Sequence, residues 1–389
     1  MAETVLTAGQ RWRGVAAATG CISIVGMMTG LTWPLLSLRL DAQGVDSRLI
    51  GFNAAAQALA IIVIAPLAPR LVGRLGVIRT LAACIVAAIA SLLLLPLIPN
   101  VYAWFPIRFL LGAAVSTIFI VGETWIVQVS PREMRGRIVG IFGFVWAGCF
   151  AAGPSIIRVT GVGGWAPFLV GAAIVLAAAL PLPFAQGGTP TIGSAGQLRI
   201  GKLFRAAPAT LLAVFMLAVL DSVNDSFLPL YGIRNGLDQA TAVTSLTVLL
   251  AGLTLVQLPV GWLSDRMDRR RLLIAVVVAI VGLELLLPLA IRSSWTFWPL
   301  VAALGAAVGS LWAVSLILVG ERFHGADVAA ANTARGVLYG VGSFCGPSLA
   351  GWALQLWDPH GMPAVIVIIG VLFLPVAILA ERAPRGASA

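Results

Sequence analysis

Long apolar tracts dominate this chain. About twelve of them, each near the length of a membrane span, recur along its 389 residues, and the second six echo the first six. Three short motifs repeat at offsets of 195, 198 and 193 residues: Pro34-Leu35 with Arg39 as Pro229-Leu230 with Arg234, Gly122-Glu123 as Gly320-Glu321, and Gly153-Pro154 as Gly346-Pro347. These offsets indicate a half-molecule duplicated nearly whole. Because membrane proteins with two related six-span halves move one half against the other, the repeat predicts a transporter.

Lipid, rather than water, is the solvent that suits this composition. Hydrophobic residues make up 60% of the chain and charged residues 10%, whereas a soluble domain carries about 25% charged residues. The tracts reach the ~20 residues that a helix needs to cross the hydrocarbon, and they do not alternate as barrel strands do. We therefore predict an all-α membrane protein with twelve spans near 14–38, 49–69, 77–98, 102–128, 137–158, 165–185, 207–232, 241–263, 272–291, 296–321, 329–355 and 363–380.

The basic residues are distributed unevenly between the loops. With the N-terminus in the cytoplasm, 18 of the 25 Lys and Arg residues fall on the cytoplasmic side, 5 fall on the opposite side, and Arg108 and Arg335 fall within spans. The positive-inside rule then predicts that both termini are cytoplasmic. Basic loops facing anionic lipid headgroups explain the net charge of +10 without a nucleic-acid partner. The strong preference for Arg over Lys favours a GC-rich genome, and so the inner membrane of a bacterium.

The longest polar gap divides the chain into two predicted bundles, 1–185 and 206–389. The gap, 186–205, is rich in Gly, Ser and Thr, which is typical of a flexible linker on the cytoplasmic face. The other loops are too short for a soluble catalytic domain, and no zinc-ligand helix, serine–histidine arrangement or nucleotide loop is present in the sequence. We therefore expect neither an enzyme nor a protein with a metal or a cofactor.

Several motifs resemble those of the major facilitator superfamily. The loop after the eighth tract, G-W-L-S-D-R-M-D-R-R-R at 261–271, is similar to the family's G-x-L-[AS]-D-R-x-G-R-R, with Asp268 in place of the second Gly. Its first-half copy, 65–74, is degenerate, because Pro69 stands at the Asp position. Three further motifs resemble family elements: Arg108-Phe109-Leu110-Leu111-Gly112 the intramembrane Arg motif, Pro131-x-x-x-Arg135-Gly136 the loop between spans four and five, and Gly148 to Gly153-Pro154 a loosened form of the G-P motif of antiporters.

The resemblance implies two pseudo-symmetric six-helix bundles whose spans one, four, seven and ten line a cavity. It also implies a secondary active transporter that moves a small organic solute by alternating access, with the substrate near the midplane between the bundles. Glu123 in span four, together with Pro229-Leu230-Tyr231 in span seven, resembles a poorly characterised bacterial subgroup. We expect a monomer whose partners are the substrate, membrane lipids and protons.

Ionisable residues within the predicted spans are the candidates for binding substrate and coupling it to protons. Each costs about 2.5–3.5 kcal/mol at the bilayer centre, so each needs a partner or a task. The candidates are Arg108, Glu123, Asp221, Asp225 and Arg335. By depth, Arg108 and Asp225 are expected near the periplasmic mouth, and Glu123 and Arg335 near the cytoplasmic mouth, as two layers of opposite charge.

Asp221 and Asp225 share one helix face, because they are four residues apart. A carboxyl group of such a pair can bind and release a proton, whereas both histidines lie in predicted loops. The proton carrier is therefore expected to be Asp225, Asp221 or Glu123. The other possibility is that these groups only join helices or keep a cavity hydrated. Glu284 is expected to have a structural partner or a local water.

Two further sets of residues have both a functional and a structural interpretation. Asp265, Arg266, Arg135 and Arg137 could form an ionic latch at the cytoplasmic gate, or simply set the topology. Gly153, Pro154, Gly346 and Pro347 could let moving bundles slide and bend, or serve ordinary helix packing.

Three functions stay open at this point. The first is a proton-coupled transporter that exports amphipathic organic compounds. The second is an importer of a small anionic metabolite that the intramembrane Arg108 and Arg335 bind. The third is a sensor or scaffold that has lost transport, which the degenerate loop at 65–74 would explain.

Overall fold

The computed structural model describes residues 7–131, 134–185, 189–190, 208–322 and 326–381. Fourteen α-helices and one short 3-10 helix form the regular structure of these residues, and no strand occurs among them. The α-helices are α1 (Ala8–Ala42), α2 (Ser47–Ile64), α3 (Ala68–Leu75), α4 (Val77–Leu97), α5 (Val101–Val129), α6 (Arg135–Thr160), α7 (Ala166–Ala179), α8 (Pro208–Arg234), α9 (Gln239–Leu255), α10 (Gln257–Arg266), α11 (Arg269–Ala290), α12 (Ser294–Arg322), α13 (Ala326–Leu356) and α14 (Gly361–Glu381). The 3-10 helix is Leu182–Ala185.

The helices confirm the predicted all-helical membrane fold. Within the described ranges, 11 helical segments are long and apolar enough to cross a membrane, and α9 is a shorter apolar helix. Together they correspond to the twelve predicted spans. Helices suit this environment because they satisfy every interior backbone hydrogen bond within one segment, where lipid offers no partner.

Prolines make three of the helices shorter than the predicted spans. In the tract 241–263, α9 ends at Leu255 and α10 begins two residues later. Pro259 has no N–H to donate to the Leu255 carbonyl, so one continuous helix would leave that group without its partner. Pro66 likewise follows the end of α2, and Pro181 follows the end of α7.

The described residues form two compact units. The first unit contains the residues up to Gly44 and those from Ala56 to 190. Its central helix is α1, which packs against α5, α6 and α7. In the most apolar 18-residue stretch of this helix, 72% of the residues are buried. The predicted linker, 186–205, lies outside the described residues except for 189–190, so its role stays a prediction.

The second unit is built in the same way around α8. This helix packs against α9, α12, α13 and α14. In its most apolar 18-residue stretch, 78% of the residues are buried. The unit also includes Val45–Ala55, which contain the first turns of α2. There the Arg234 guanidinium donates to the Ser47 hydroxyl (2.9 Å) and pairs with the Asp358 carboxylate at 2.8 Å.

The duplication is visible in corresponding glycines. In the first unit, Gly153 of α6 contacts the backbone of Gly30 in α1 so closely that no side chain would fit. In the second unit, a Cβ at Gly346 of α13 would lie 2.7 Å from the Ser222 hydroxyl of α8. A proline follows each glycine, and both prolines lie inside their helices. The central helix of each unit is therefore approached at a glycine by the fifth span of its own half, α6 in the first and α13 in the second.

Replacing Gly153 with Ala should destabilise the protein by about 1–3 kcal/mol, because the added methyl group overpacks the contact with Gly30. Gly148→Ala is the matched control: it lies on the same helix, five residues earlier, and an added Cβ would meet nothing within 4 Å. That control should be neutral, or stabilising by up to ~1 kcal/mol through helix propensity. Thermal unfolding of the purified proteins measures both effects. Equal midpoints for the two variants would contradict the close contact.

Candidate functional site

Two carboxyl groups lie one helical turn apart on α8, inside the second unit. Asp221 and Asp225 are both half-buried. The Tyr339 hydroxyl of α13 donates a hydrogen bond of 2.9 Å to Asp221 Oδ2. Asp225 interacts electrostatically with Asp221 but forms no hydrogen bond or ion pair with the residues that the structure describes. One acid of the pair therefore has a donor that stabilises its charge, and the other does not.

Arg335 and Tyr339 extend this cluster along α13. They are four residues apart and thus share a helix face, and both are half-buried. The charge of Arg335 acts on Tyr339, as do those of Asp221 and Asp225. The second unit therefore brings together three of the predicted site residues. With one guanidinium for two acids, this group is neutral when one acid holds a proton, and it carries one negative charge when that proton is released.

Tyr339 is a candidate site residue that the sequence analysis did not single out. The chain has 3 tyrosines, and this one lies one turn from an intramembrane Arg. A phenol inside an apolar span needs a hydrogen-bond partner, and this requirement is the feature by which the sequence could have marked Tyr339. The partner itself could not be found, because Asp221 lies 118 residues away in the chain.

The buried face of α8 around the two acids is unusually polar. Ser222, Asn224 and Ser226 are all buried. The Asn224 amide donates to the Leu220 carbonyl at 2.9 Å, and the Ser222 hydroxyl donates to the Ala218 carbonyl at 2.7 Å. Side chains that bond back to the preceding turn in this way tend to bend a helix.

Arg108 lies in the first unit and has no exposed surface. Its Nε and Nη2 donate to Gln57 Oε1 at 3.4 and 3.3 Å, and its guanidinium lies 6.0 Å from the centre of the Trp33 ring. The guanidinium is thus held by polar and aromatic groups of its own unit.

Glu123 lies on the same helix as Arg108, 15 residues further along, which separates the two by about 22 Å. It is exposed, and it takes part in an interaction within the structure. The first unit therefore does not bring its two predicted site residues together. The predicted charge layers would pair Arg108 and Glu123 with residues of the second unit, and they stay a prediction.

The predicted cytoplasmic latch is described only in part. Arg137 is exposed on α6. Arg266 is exposed on α10, with its guanidinium 3.8 Å from the centre of the Trp262 ring. The side chains of Arg135 and Asp265 lie outside the described ones, so the latch stays a prediction. Nearby, the Asp268 carboxylate accepts hydrogen bonds from the N–H groups of Arg270 and Arg271 and thereby caps α11.

Comparison with known proteins assigns the chain to a family. The sequence model of the Major Facilitator Superfamily matches residues 18–254 and again residues 210–388. The chain is 24% identical over 344 residues to the "Uncharacterized MFS-type transporter YfkF" of Bacillus subtilis, which covers 87% of this chain and 88% of that protein. It is 26% identical over 279 residues to the "Uncharacterized MFS-type transporter YcaD" of Salmonella heidelberg, which covers 70% and 71%.

Solved structures show the same fold. A crystal structure of the nucleoside transporter NupG matches with a TM-score of 0.75 and 13% identity over 96% of this chain and 100% of that one. A bacterial homologue of the human lysosomal transporter Spinster matches with a TM-score of 0.71 and 14% identity, over 98% and 100%. The chain therefore belongs to the major facilitator superfamily and is a multi-pass membrane transporter. The predicted relation to poorly characterised bacterial members is confirmed.

Tyr339→Phe should remove the hydrogen bond to Asp221 and nothing else. A hydrogen bond to a charged group contributes about 1.5–3 kcal/mol, so the loss should lower the unfolding midpoint at neutral pH. The difference from the unmodified protein should become smaller in acid, where Asp221 is protonated and a hydrogen bond between neutral groups contributes only about 0.5–1.5 kcal/mol. Thermal unfolding across a pH series tests this, and a difference that does not change with pH would contradict it. Tyr102→Phe is the control, since Tyr102 is exposed.

Proposed function

We propose that this member of the superfamily is a proton-coupled secondary transporter of a small organic solute, and that it exports amphipathic compounds by alternating access. The observation that carries the proposal is the arrangement of Asp221, Asp225 and Tyr339. Asp225 is the proton carrier, because its carboxyl group is half-buried and has no hydrogen-bond donor among the described residues. Asp221 is the acid of the pair whose charged form has a donor, the Tyr339 hydroxyl.

The pair works as a carrier through its own repulsion. With Asp225 deprotonated, two like charges lie one turn apart, which favours the uptake of a proton. With Asp225 protonated, the repulsion is gone and the unit loses one negative charge. A conformation that is stable in one charge state is thus disfavoured in the other. One proton moving through 100 mV supplies about 2.3 kcal/mol for the transport cycle.

Two features support the proposed direction and substrate class. The G-P element of α6, Gly153-Pro154, resembles the motif that is linked to antiporters. Half-buried carboxylates attract a cationic headgroup, and the apolar lining expected around them suits the hydrophobic body of an amphipathic compound. In such an exchange, Asp221 and Asp225 bind the proton and the amphipathic compound in turn.

The alternative is an importer of a small anionic metabolite bound by Arg108 and Arg335. Arg335 supports it, since this guanidinium is half-buried. Arg108 offers less, because it has no exposed surface and is hydrogen-bonded to Gln57. Thermal unfolding of the purified protein with ethidium or with succinate, across a pH series, separates the two functions. The proposal expects ethidium to stabilise the protein more at high pH, where the acids are charged.

Asp225→Asn should abolish proton-driven transport and leave the protein folded, because Asn has the same shape but cannot bind a proton. The measurement is ethidium flux in proteoliposomes with an imposed pH gradient, and the expected rate is that of empty vesicles. Asp238→Asn is the matched control. Asp238 precedes α9 in the same unit, where a hydrogen bond from Thr241 lowers its pKa, and Asn preserves this helix cap.

Undiminished flux in Asp225→Asn would contradict the role of Asp225 as the carrier. Flux of succinate rather than ethidium would favour the importer. No flux of any tested compound in the unmodified protein, despite ligand-induced stabilisation, would favour the sensor or scaffold.

A further inference from the structure

Glu284 is a second acidic site in the second unit, on α11 and separate from the α8 pair. The residue has no exposed surface. Both of its carboxyl oxygens are buried, and neither accepts a hydrogen bond from any residue that the structure describes. Of the two expectations for this residue, a structural partner is therefore not found among the described residues, and a local water stays a prediction.

Among the described residues, the two helices that pack most extensively against α11 offer no positive charge close to Glu284. The helices packed against α11 are α12 and α14. Their only ionisable residues are Glu321 and Arg322 at the last two positions of α12, and Glu381 at the last position of α14. Glu284 lies six residues before Ala290, which is the last residue of α11. An isolated carboxylate costs tens of kcal/mol in a medium of low dielectric constant, so a group in this position keeps its proton.

Tyr231 connects Glu284 to the loop before α14. Tyr231 of α8 has no exposed surface, and its hydroxyl lies close enough to Glu284 to interact electrostatically. The same hydroxyl is 3.4 Å from His360 Nδ1, and the two ring centres are 6.2 Å apart. His360 is half-buried and directly precedes α14. A line of three titratable side chains thus runs from the interior of the unit to a loop.

Two other acids lie near this line. Asp358, two residues before His360, pairs with Arg234 at 2.8 Å. The Trp357 ring packs edge-on against His360, with 5.8 Å between the ring centres. On α8, the Asp225 carboxyl is six residues from Tyr231, about 9 Å along the helix. The Asp358 carboxylate is therefore paired with Arg234, and Asp225 belongs to the separate acid pair on α8.

We propose that Glu284 is a proton-binding site of the second unit, and that it exchanges its proton with the aqueous phase through Tyr231 and His360. In the release step, the Glu284 carboxyl approaches the Tyr231 hydroxyl and gives it a proton, while the hydroxyl gives its own proton to His360 Nδ1. The imidazolium then loses its Nε2 proton to water, and Tyr231 is neutral throughout. The approach of Glu284 to Tyr231 is a contact that the present conformation does not make.

Infrared difference spectroscopy of the purified, full-length protein tests this site without any transport measurement. The unmodified protein should show a protonated-carboxyl C=O band that persists at a pH where exposed acids are ionised. Glu284→Gln should lose this band, and Asp225→Asn should retain it. Tyr231→Phe and His360→Ala should keep the band but slow its shift on transfer to heavy water, because the exchange path is cut. Because this experiment measures no flux, its failure would leave the proposed transport function untouched.

Thermal unfolding gives an independent measurement. An acid that the fold accommodates only with its proton makes the protein less stable as the pH rises, because the unfolded chain then binds fewer protons than the folded one. Glu284→Gln should match the unmodified protein in acid and become progressively more stable than it at higher pH.

Several results would overturn the proposal. These are a band that survives Glu284→Gln combined with Asp225→Asn, exchange that is equally fast in His360→Ala, or stabilisation by sodium at constant pH, which would indicate a cation site instead. Should Glu284→Gln not yield folded protein, Glu284→Asp keeps the carboxyl but moves it, and it must shift the band. An unshifted band in that variant contradicts the assignment.

Discussion

The structure depends on one constraint: the hydrocarbon of a membrane supplies no hydrogen-bond partners. Every backbone group inside it must be satisfied within its own segment, so the chain forms long helices. The same constraint removes the ordinary hydrophobic drive for helices to associate, and close packing at small residues takes its place. The contacts of Gly153 with Gly30 and of Gly346 with Ser222 follow from this. Each brings a helix of its unit against the central one.

The constraint also limits what an ionisable side chain can do. The described residues accommodate such side chains in four different ways. Arg108 is held by Gln57 and Trp33, and Asp221 is held by Tyr339. Asp225 has only partial exposure, and Glu284 has neither exposure nor a hydrogen-bond partner among the described residues. The first two arrangements give a charged group a hydrogen-bond partner, whereas the last two suit groups whose protonation changes.

Much of the fold could be predicted because a span is a local property of the sequence. Length and hydropathy identified all twelve tracts, and the offset repeats identified the duplication. The predicted span ends were less accurate where a proline lay near them, as at Pro259. A proline removes one backbone hydrogen-bond donor, and the hydropathy of the tract does not change with that loss. The side-chain partners were the hardest to predict. Asp221 and Arg335 could be selected by their cost in lipid, but Tyr339 joins them only through the packing of α8 against α13. Gln57 was missed for the same reason, since an uncharged amide gives no signal until its neighbour is known.

The central claim is that acids inside the second unit exchange protons with the aqueous phase as part of transport. The most direct measurement is the pH inside proteoliposomes that contain the unmodified protein, followed with an enclosed pH-sensitive dye as ethidium is added outside without an imposed gradient. The account predicts that the internal pH changes as ethidium moves, because protons move in the opposite direction. Ethidium movement at constant internal pH would contradict it.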